Sequence, residues 1–297
     1  MIIIPGPASQ ELGKEIAKQL KARISPIEFT HFPDGESRIR FECNIEDEDV
    51  IIVQTTGPPQ NENLLQLFFM ADNAKDLKAK TITAVVPYLA YARQDQRFRP
   101  GEVFSLKTIV TLLKICGVKR ILTVNSHNPA ILKTMPIRIR DLSAIPLLAE
   151  YYKKVGFYNA VSLSLGKKGL DTAIEANNVL KGGYNYIPTQ RDRTTGAVTL
   201  EKKALPIKGK DVVIFDDIIS SGGTMIKAVA YAKGQGAKTV NVACVHPLLT
   251  EEVKSKILNA GADQIVATDS VQSPISIVSI APLIAEALAE KEAQKRG

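Results

Sequence analysis

Short runs of aliphatic and β-branched residues alternate, almost from end to end, with stretches whose apolar positions recur every three or four residues. The first kind predicts buried strands at residues 2–4, 50–54, 81–86, 120–124, 160–163, 211–215, 239–245 and 264–267. The second predicts helices at 62–77, 106–116, 143–154, 170–180, 224–233 and 250–258. A last helix at 281–295 ends in a Lys/Glu/Arg-rich tail expected to fray. Strand–helix–strand alternation implies parallel sheets covered by helices, the α/β class. Two series of about four strands imply two similar-sized domains, residues 1–142 and 143–297. In the helix at 62–77, Leu64, Leu65, Leu67, Phe68, Met70 and Ala71 form one face, with Asp72, Lys75 and Asp76 opposite. That stripe reads as core or subunit contact rather than a cofactor box.

Composition narrows the class without naming a function. Of 297 residues, 45% are hydrophobic and 23% charged, which is ordinary for a folded soluble chain. No apolar run approaches the ~20 residues that span a bilayer. The start, Met1-Ile2-Ile3-Ile4-Pro5-Gly6, lacks a basic n-region and reads as a first strand ended by a turn. Cys43, Cys116 and Cys244 lie far apart with no CxxC spacing, which points to neither zinc nor disulfides and favours the cytoplasm. The net charge of +7 fits a solvated basic surface or anionic ligands. Only 6% of residues are aromatic and Trp is absent, so a nucleic-acid stacking platform is not expected.

Candidate chemistry begins with absences. There is no GxxxxGK[ST], no GxGxxG after a strand, and no HExxH or nucleophile elbow. What stands out is Val212-Val213-Ile214-Phe215, then Asp216-Asp217-Ile218-Ile219, then Ser220, Ser221, Gly222, Gly223 and Thr224 opening a helix. Small residues let backbone N–H groups converge on an anion, and a helix N-terminus adds partial positive charge. Two carboxylates before a phosphate cradle would repel it unless they bind sugar hydroxyls or a metal. The competing reading is an acid-capped strand-to-helix turn, which uses one acid and no Gly pair. A polar, cationic loop at 188–196 is a candidate active-site flap.

The 212–224 segment resembles the phosphoribosyl-pyrophosphate loop of type I phosphoribosyltransferases and ribose-phosphate pyrophosphokinases. Three further stretches resemble the pyrophosphokinases alone: Phe32-Pro33-Asp34-Gly35-Glu36-Ser37, Pro87-Tyr88-Leu89-Ala90-Tyr91-Ala92-Arg93-Gln94-Asp95, and Val124-Asn125-Ser126-His127-Asn128-Pro129. Arg191-Asp192-Arg193-Thr194-Thr195-Gly196 resembles their catalytic loop in its archaeal-type form. The resemblance implies two phosphoribosyltransferase-like domains, each a mainly parallel sheet flanked by helices. It implies transfer of pyrophosphate from Mg–ATP to ribose 5-phosphate, with Mg²⁺ as cofactor. Ribose 5-phosphate would sit on Ser220, Ser221, Gly222, Gly223 and Thr224, with Asp216 and Asp217 on its hydroxyls. ATP would meet Phe32, Asp34 and Glu36 of a neighbouring subunit, and Arg93, Gln94, Asp95, Arg97 and His127 of its own. His127 would also meet the metal, and Arg191 would act in catalysis with Arg193 as helper. A homo-oligomer follows from that shared site, with neither nucleic acid nor membrane as partner.

Two positions depart from the family pattern. Gly166 stands where the family carries an acid after the first strand of the second domain, and Thr189 where its flexible loop carries a Lys. Lys167, Lys168, Lys202 and Lys203 are candidate replacements. A catalytically silent paralogue that regulates an active synthetase is the alternative these departures raise. A transferase acting on a base is a second, which leaves the Phe32–Glu36 motif unused.

Overall fold

The computed structural model describes residues 1–97, 99–191, 198–200 and 203–296, without side-chain detail at 190, 191, 198 and 291–296. The first half runs β1 (Ile2–Pro5), α1 (Gln10–Leu20), β2 (Arg23–Ile24), β3 (Ile27–His31), β4 (Ser37–Phe41), β5 (Asp49–Val53), α2 (Gln60–Asp76), β6 (Thr81–Val86), α3 (Ser105–Ile115), β7 (Val118–Val124), α4 (Pro129–Leu132) and β8 (Arg138–Leu142). The second runs α5 (Ile145–Lys154), β9 (Val161–Leu165), α6 (Leu170–Leu180), β10 (Tyr184–Ile187), β11 (Thr189–Arg191), β12 (Val198–Leu200), β13 (Asp211–Ile219), α7 (Gly223–Gly234), β14 (Thr239–Pro247), α8 (Glu251–Asn259), β15 (Gln264–Thr268), β16 (Ser276–Val278) and α9 (Ala281–Arg296).

Two compact units result, Met1–Leu142 with Ser279–Gly297 and Ser143–Val278. In the first, a six-stranded sheet has the order β2-β1-β5-β6-β7-β8, every pair parallel. Strand alternation sends Ile2, Ile4, Val50, Ile52, Ile82 and Ala84 to one face, where they meet Leu67, Met70, Leu106 and Leu113 of α2 and α3. The expectation of residues 143–297 as one domain is corrected here. Helix α9 packs on α1 in the first unit, burying Ala281, Ile284 and Leu288. Arg140 of β8 also donates to the Ala287 carbonyl (3.3 Å) and pairs with Glu290 (2.8 Å).

The second unit repeats the plan with the order β10-β9-β13-β14-β15-β16, again all parallel. Val161, Leu163, Val212, Ile214, Val240 and Val242 line one face against Met225 and Val229 of α7 and Ile257 of α8. Each sheet thus has six strands, where the pattern predicts about four. The extra strands lie at the edges and are short or charged, as in Arg138-Ile139-Arg140-Asp141-Leu142. Two antiparallel hairpins, β3–β4 and β11–β12, stand apart from the sheets. The second pairs Thr189–Arg191 with Val198–Leu200, so the loop expected at 188–196 begins as a strand. Its residues 192–197, including Arg193, lie outside the described residues.

Candidate active site

In the second unit β13 outruns its neighbour β9, which pairs only with Val212–Phe215. The overhang carries Asp216 and Asp217, both half-buried, so the strand is longer than the 211–215 its apolar run predicts. The Asp216 Oδ1 accepts the Asp217 N–H at 3.0 Å, and the Asp217 Oδ1 accepts the Ile218 N–H at 2.9 Å. The acids therefore belong to the strand end, and no side chain caps α7 among the described residues. That leaves the α7 N-terminus without an acidic cap, as an anion site needs. Gly222 sits at φ +71°, where a Cβ would lie 2.4 Å from Val253 Cγ1 of α8. Gly223 faces open space, while Ser220 and Thr224 are half-buried and Ser221 exposed. Beside Asp216 on the neighbouring strand β14, burial and the Asp216 carboxylate push the Cys244 thiol well above its usual range, which makes it a poor nucleophile.

The two departures from the family pattern touch. Gly166 has φ +68°, its N–H donates to the Ile187 carbonyl (2.9 Å), and a Cβ there would lie 2.7 Å from Thr189 Oγ1. Of the candidate replacement lysines, Lys203 has its ammonium over the Tyr186 ring, 4.4 Å from the centroid. Lys167 and Lys168 are exposed in a short turn, and Lys202 lies outside the described residues. Arg191 is described by its backbone pairing with Val198 alone; its side chain lies outside the described residues.

In the first unit, the motif residues after β6 and β7 follow the C-terminal ends of parallel strands, where open α/β sheets bind ligands, while the Phe32–Glu36 motif sits on the separate β3–β4 hairpin. The β3–β4 tip exposes Phe32 (47%), Asp34 and Glu36, closed by Phe32 N–H to the Glu36 carbonyl and Gly35 N–H to the Phe32 carbonyl, each 2.8 Å. His31 at its base meets Glu62 of α2 at 3.2 Å, and Tyr91 donates to Asn61 one residue earlier. The tip's base and the Tyr91–Arg93 turn thus share the start of α2. In the following loop Arg93 and Arg97 are exposed. Gln94 Nε2 donates to the Val103 carbonyl (3.1 Å), and Arg97 Nε to the Glu102 carbonyl (2.9 Å). Asp95, expected as an ATP contact, is 4% exposed and accepts from Asn128 Nδ2 at 2.6 Å. His127 is exposed between Ser126, which is bonded to Asp141, and Asn128. Burial raises the Asp141 carboxyl above its usual range, against the Ser126 hydrogen bonds.

Comparison with known proteins decides between the readings this geometry allows. Residues 1–117 match the family model described as the N-terminal domain of ribose phosphate pyrophosphokinase, and residues 145–273 match the phosphoribosyl transferase domain. The chain is 39% identical to the ribose-phosphate pyrophosphokinase of Methanothermobacter thermautotrophicus, covering 97% of this chain and 99% of the relative.

The chain belongs to the ribose-phosphate pyrophosphokinase family.

The Saccharolobus solfataricus ribose-phosphate pyrophosphokinase is likewise 39% identical, over 91% of this chain and 93% of that one. The crystal structure of the Mycobacterium smegmatis phosphoribosylpyrophosphate synthetase matches with a TM-score of 0.86 at 26% identity, covering 100% and 99% of the two chains. A pyrophosphokinase carries both domain types, which a transferase acting on a base does not explain. These nearly full-length matches also do not favour the silent regulatory paralogue. No described helix is long and apolar enough to cross a membrane.

Proposed function

We propose that this chain transfers the pyrophosphoryl group of Mg–ATP to ribose 5-phosphate, giving phosphoribosyl pyrophosphate and AMP. The observation that carries the substrate reading is the uncapped α7 N-terminus behind Gly222 and Gly223, directly after Asp216 and Asp217. The backbone N–H groups of 220–224 and the hydroxyls of Ser220, Ser221 and Thr224 hold the 5-phosphate, and the two acids orient the ring hydroxyls. Phe32 stacks on adenine while Asp34 and Glu36 accept from its amino group. Arg93 and Arg97 grip the triphosphate, and Gln94 and Asp95 shape the loop that presents them. Exposure of Phe32 at a hairpin tip supports its service to a neighbouring subunit in a homo-oligomer.

The C1 hydroxyl oxygen then forms a bond to the β-phosphorus. The bond from that phosphorus to the α,β-bridging oxygen breaks, AMP leaves with the bridging oxygen, and the hydroxyl proton passes to solvent. Such a transfer needs positioning and cationic charge rather than a covalent intermediate. Arg191 supplies charge from the β11–β12 hairpin. No three His, Cys, Asp or Glu side chains form a metal cage among the described residues. Mg²⁺ commonly takes few protein ligands and completes its shell with substrate phosphates and water. His127 would hold it on the nucleotide side. When bound, it neutralises charge on the transferring phosphates.

Purified protein given Mg–ATP should form AMP only when ribose 5-phosphate is present, with phosphoribosyl pyrophosphate in equal amount. No AMP from protein that binds both ligands by calorimetry would sink the catalytic reading.

A further inference from the structure

The turn that carries His127 is held at both ends by carboxylates lying elsewhere in the fold. On one side Asp141, near the end of β8, reaches across the end of β7 to Ser126. It accepts the Ser126 N–H at 3.0 and 3.1 Å through its two oxygens and the Ser126 hydroxyl at 2.6 Å. The Asn125 N–H donates to the Leu142 carbonyl at 2.8 Å, which ties the same turn to the same strand. On the other side, buried Asp95 accepts from Asn128 Nδ2 at 2.6 Å. Asn125 itself stands at φ +38°, a conformation that needs holding in place. Between these fixed points only His127 is exposed.

We propose that Asp141 and the Asp95–Asn128 pair are positioning residues that clamp the 125–128 turn so that His127 faces the nucleotide. The clamp rests on the nucleotide reading of His127 given above. Charge-assisted hydrogen bonds are short and directional, so three of them on Ser126 fix both the place and the tilt of the next residue. The Asp95–Asn128 bond has a second effect. It links the arginine loop after β6 to the histidine turn after β7, so the two nucleotide-facing segments keep one mutual geometry.

The test uses the full-length protein and three measurements. Asp141→Ala and Asn128→Ala should each weaken Mg–ATP binding roughly tenfold by calorimetry, the scale of a hydrogen bond to a charged group. Ribose 5-phosphate affinity should not change. In a His127→Ala background Asp141→Ala should cost nothing further, because it acts through the imidazole, whereas Asn128→Ala should keep the part of its cost that comes through the arginine loop. Asp141→Asn should recover most of the affinity, since its amide can accept from the Ser126 N–H and donate to the hydroxyl. The chain has three histidines, so the ring signals of His31, His127 and His246 can be followed separately by magnetic resonance. Asp141→Ala should move the His127 signal and leave the other two.

Unchanged Mg–ATP affinity in folded Asp141→Ala and Asn128→Ala would overturn the clamp, as would an equal loss from Asp141→Ala in the His127→Ala background. Should Asp141→Ala fail to fold, the milder Ser126→Ala carries the same measurements. A wild-type protein that binds no Mg–ATP overturns the nucleotide reading instead. The His127 signal then still decides whether the turn is held by Asp141.

Discussion

At the scale of single residues, Gly222 and Gly223 separate what the fold needs from what the ligand needs. A Cβ on Gly222 meets Val253 of α8 at 2.4 Å and sits at φ +71°. Gly222→Ala should therefore cost about 1–3 kcal/mol in thermal or denaturant unfolding, through backbone strain and overpacking. A Cβ on Gly223 meets nothing within 4 Å. Gly223→Ala should leave the melting temperature in place and weaken ribose 5-phosphate binding, because its methyl enters the mouth of the cradle. Equal destabilisation by both would contradict this division. Gly166 raises the reverse question, whether the family's acid can simply be restored. At φ +68° and 2.7 Å from Thr189 Oγ1, Gly166→Asp should cost about 1–3 kcal/mol and give no rise in AMP formation. Cutting Thr189 back to Ala in the same chain should return part of that stability. The acids and hydroxyls of the cradle were legible because they are contiguous in sequence. The Gly166–Thr189 contact was not, because strand pairing between β9 and β10 brings those positions together.

At the scale of elements, the sequence predicted a last helix at 281–295 but could not say which sheet it joins. Periodicity reports that a stripe needs burial, and tertiary packing chooses the partner. Ile284 and Leu288, both buried, make the choice measurable. Leu288→Ala should cost about 2–5 kcal/mol. Amide exchange should then rise in β1 and β5–β7 and stay unchanged in β9 and β13–β15; a uniform rise would refute the assignment. Strands β2, β8, β10 and β16 escaped the pattern because edge positions tolerate short or charged runs. In the second unit, Asp263 ties α7 to the start of β14, accepting from Lys233 Nζ at 2.8 Å and the Val240 N–H at 2.7 Å. Burial pulls its carboxyl up, but these donors outweigh burial and hold it below its usual range. A depressed folded pKa means stability that is present above the unfolded value, about 3.9, and lost as pH falls through the folded one. Asp263→Asn should therefore cost about 1 kcal/mol at neutral pH, modest because the pair is partly exposed, and nothing once acid has protonated the wild-type carboxylate.

At the scale of the whole molecule, the exposed hairpin tip makes a prediction that no single-chain measurement can reach. Phe32 lies 47% exposed on β3–β4, outside either sheet, while Arg93 lies on the loop after β6. If one subunit's tip serves the next subunit's arginine loop, each nucleotide site draws on two chains. Phe32→Ala and Arg93→Ala should then each abolish most AMP formation alone. Mixed under conditions that exchange subunits, they should regain it, because some interfaces pair a sound tip with a sound loop. Random exchange of equal amounts makes roughly one site in four intact, so recovery should approach a quarter of wild-type activity. A tip that serves its own chain gives no recovery at any ratio, since every chain then carries one broken half of its own site. The same mixture also tests the oligomer without reference to its size, because recovery requires only that subunits meet in pairs. The recovered fraction should peak at equal amounts and fall symmetrically on either side, a dependence that contamination by wild-type protein would not produce.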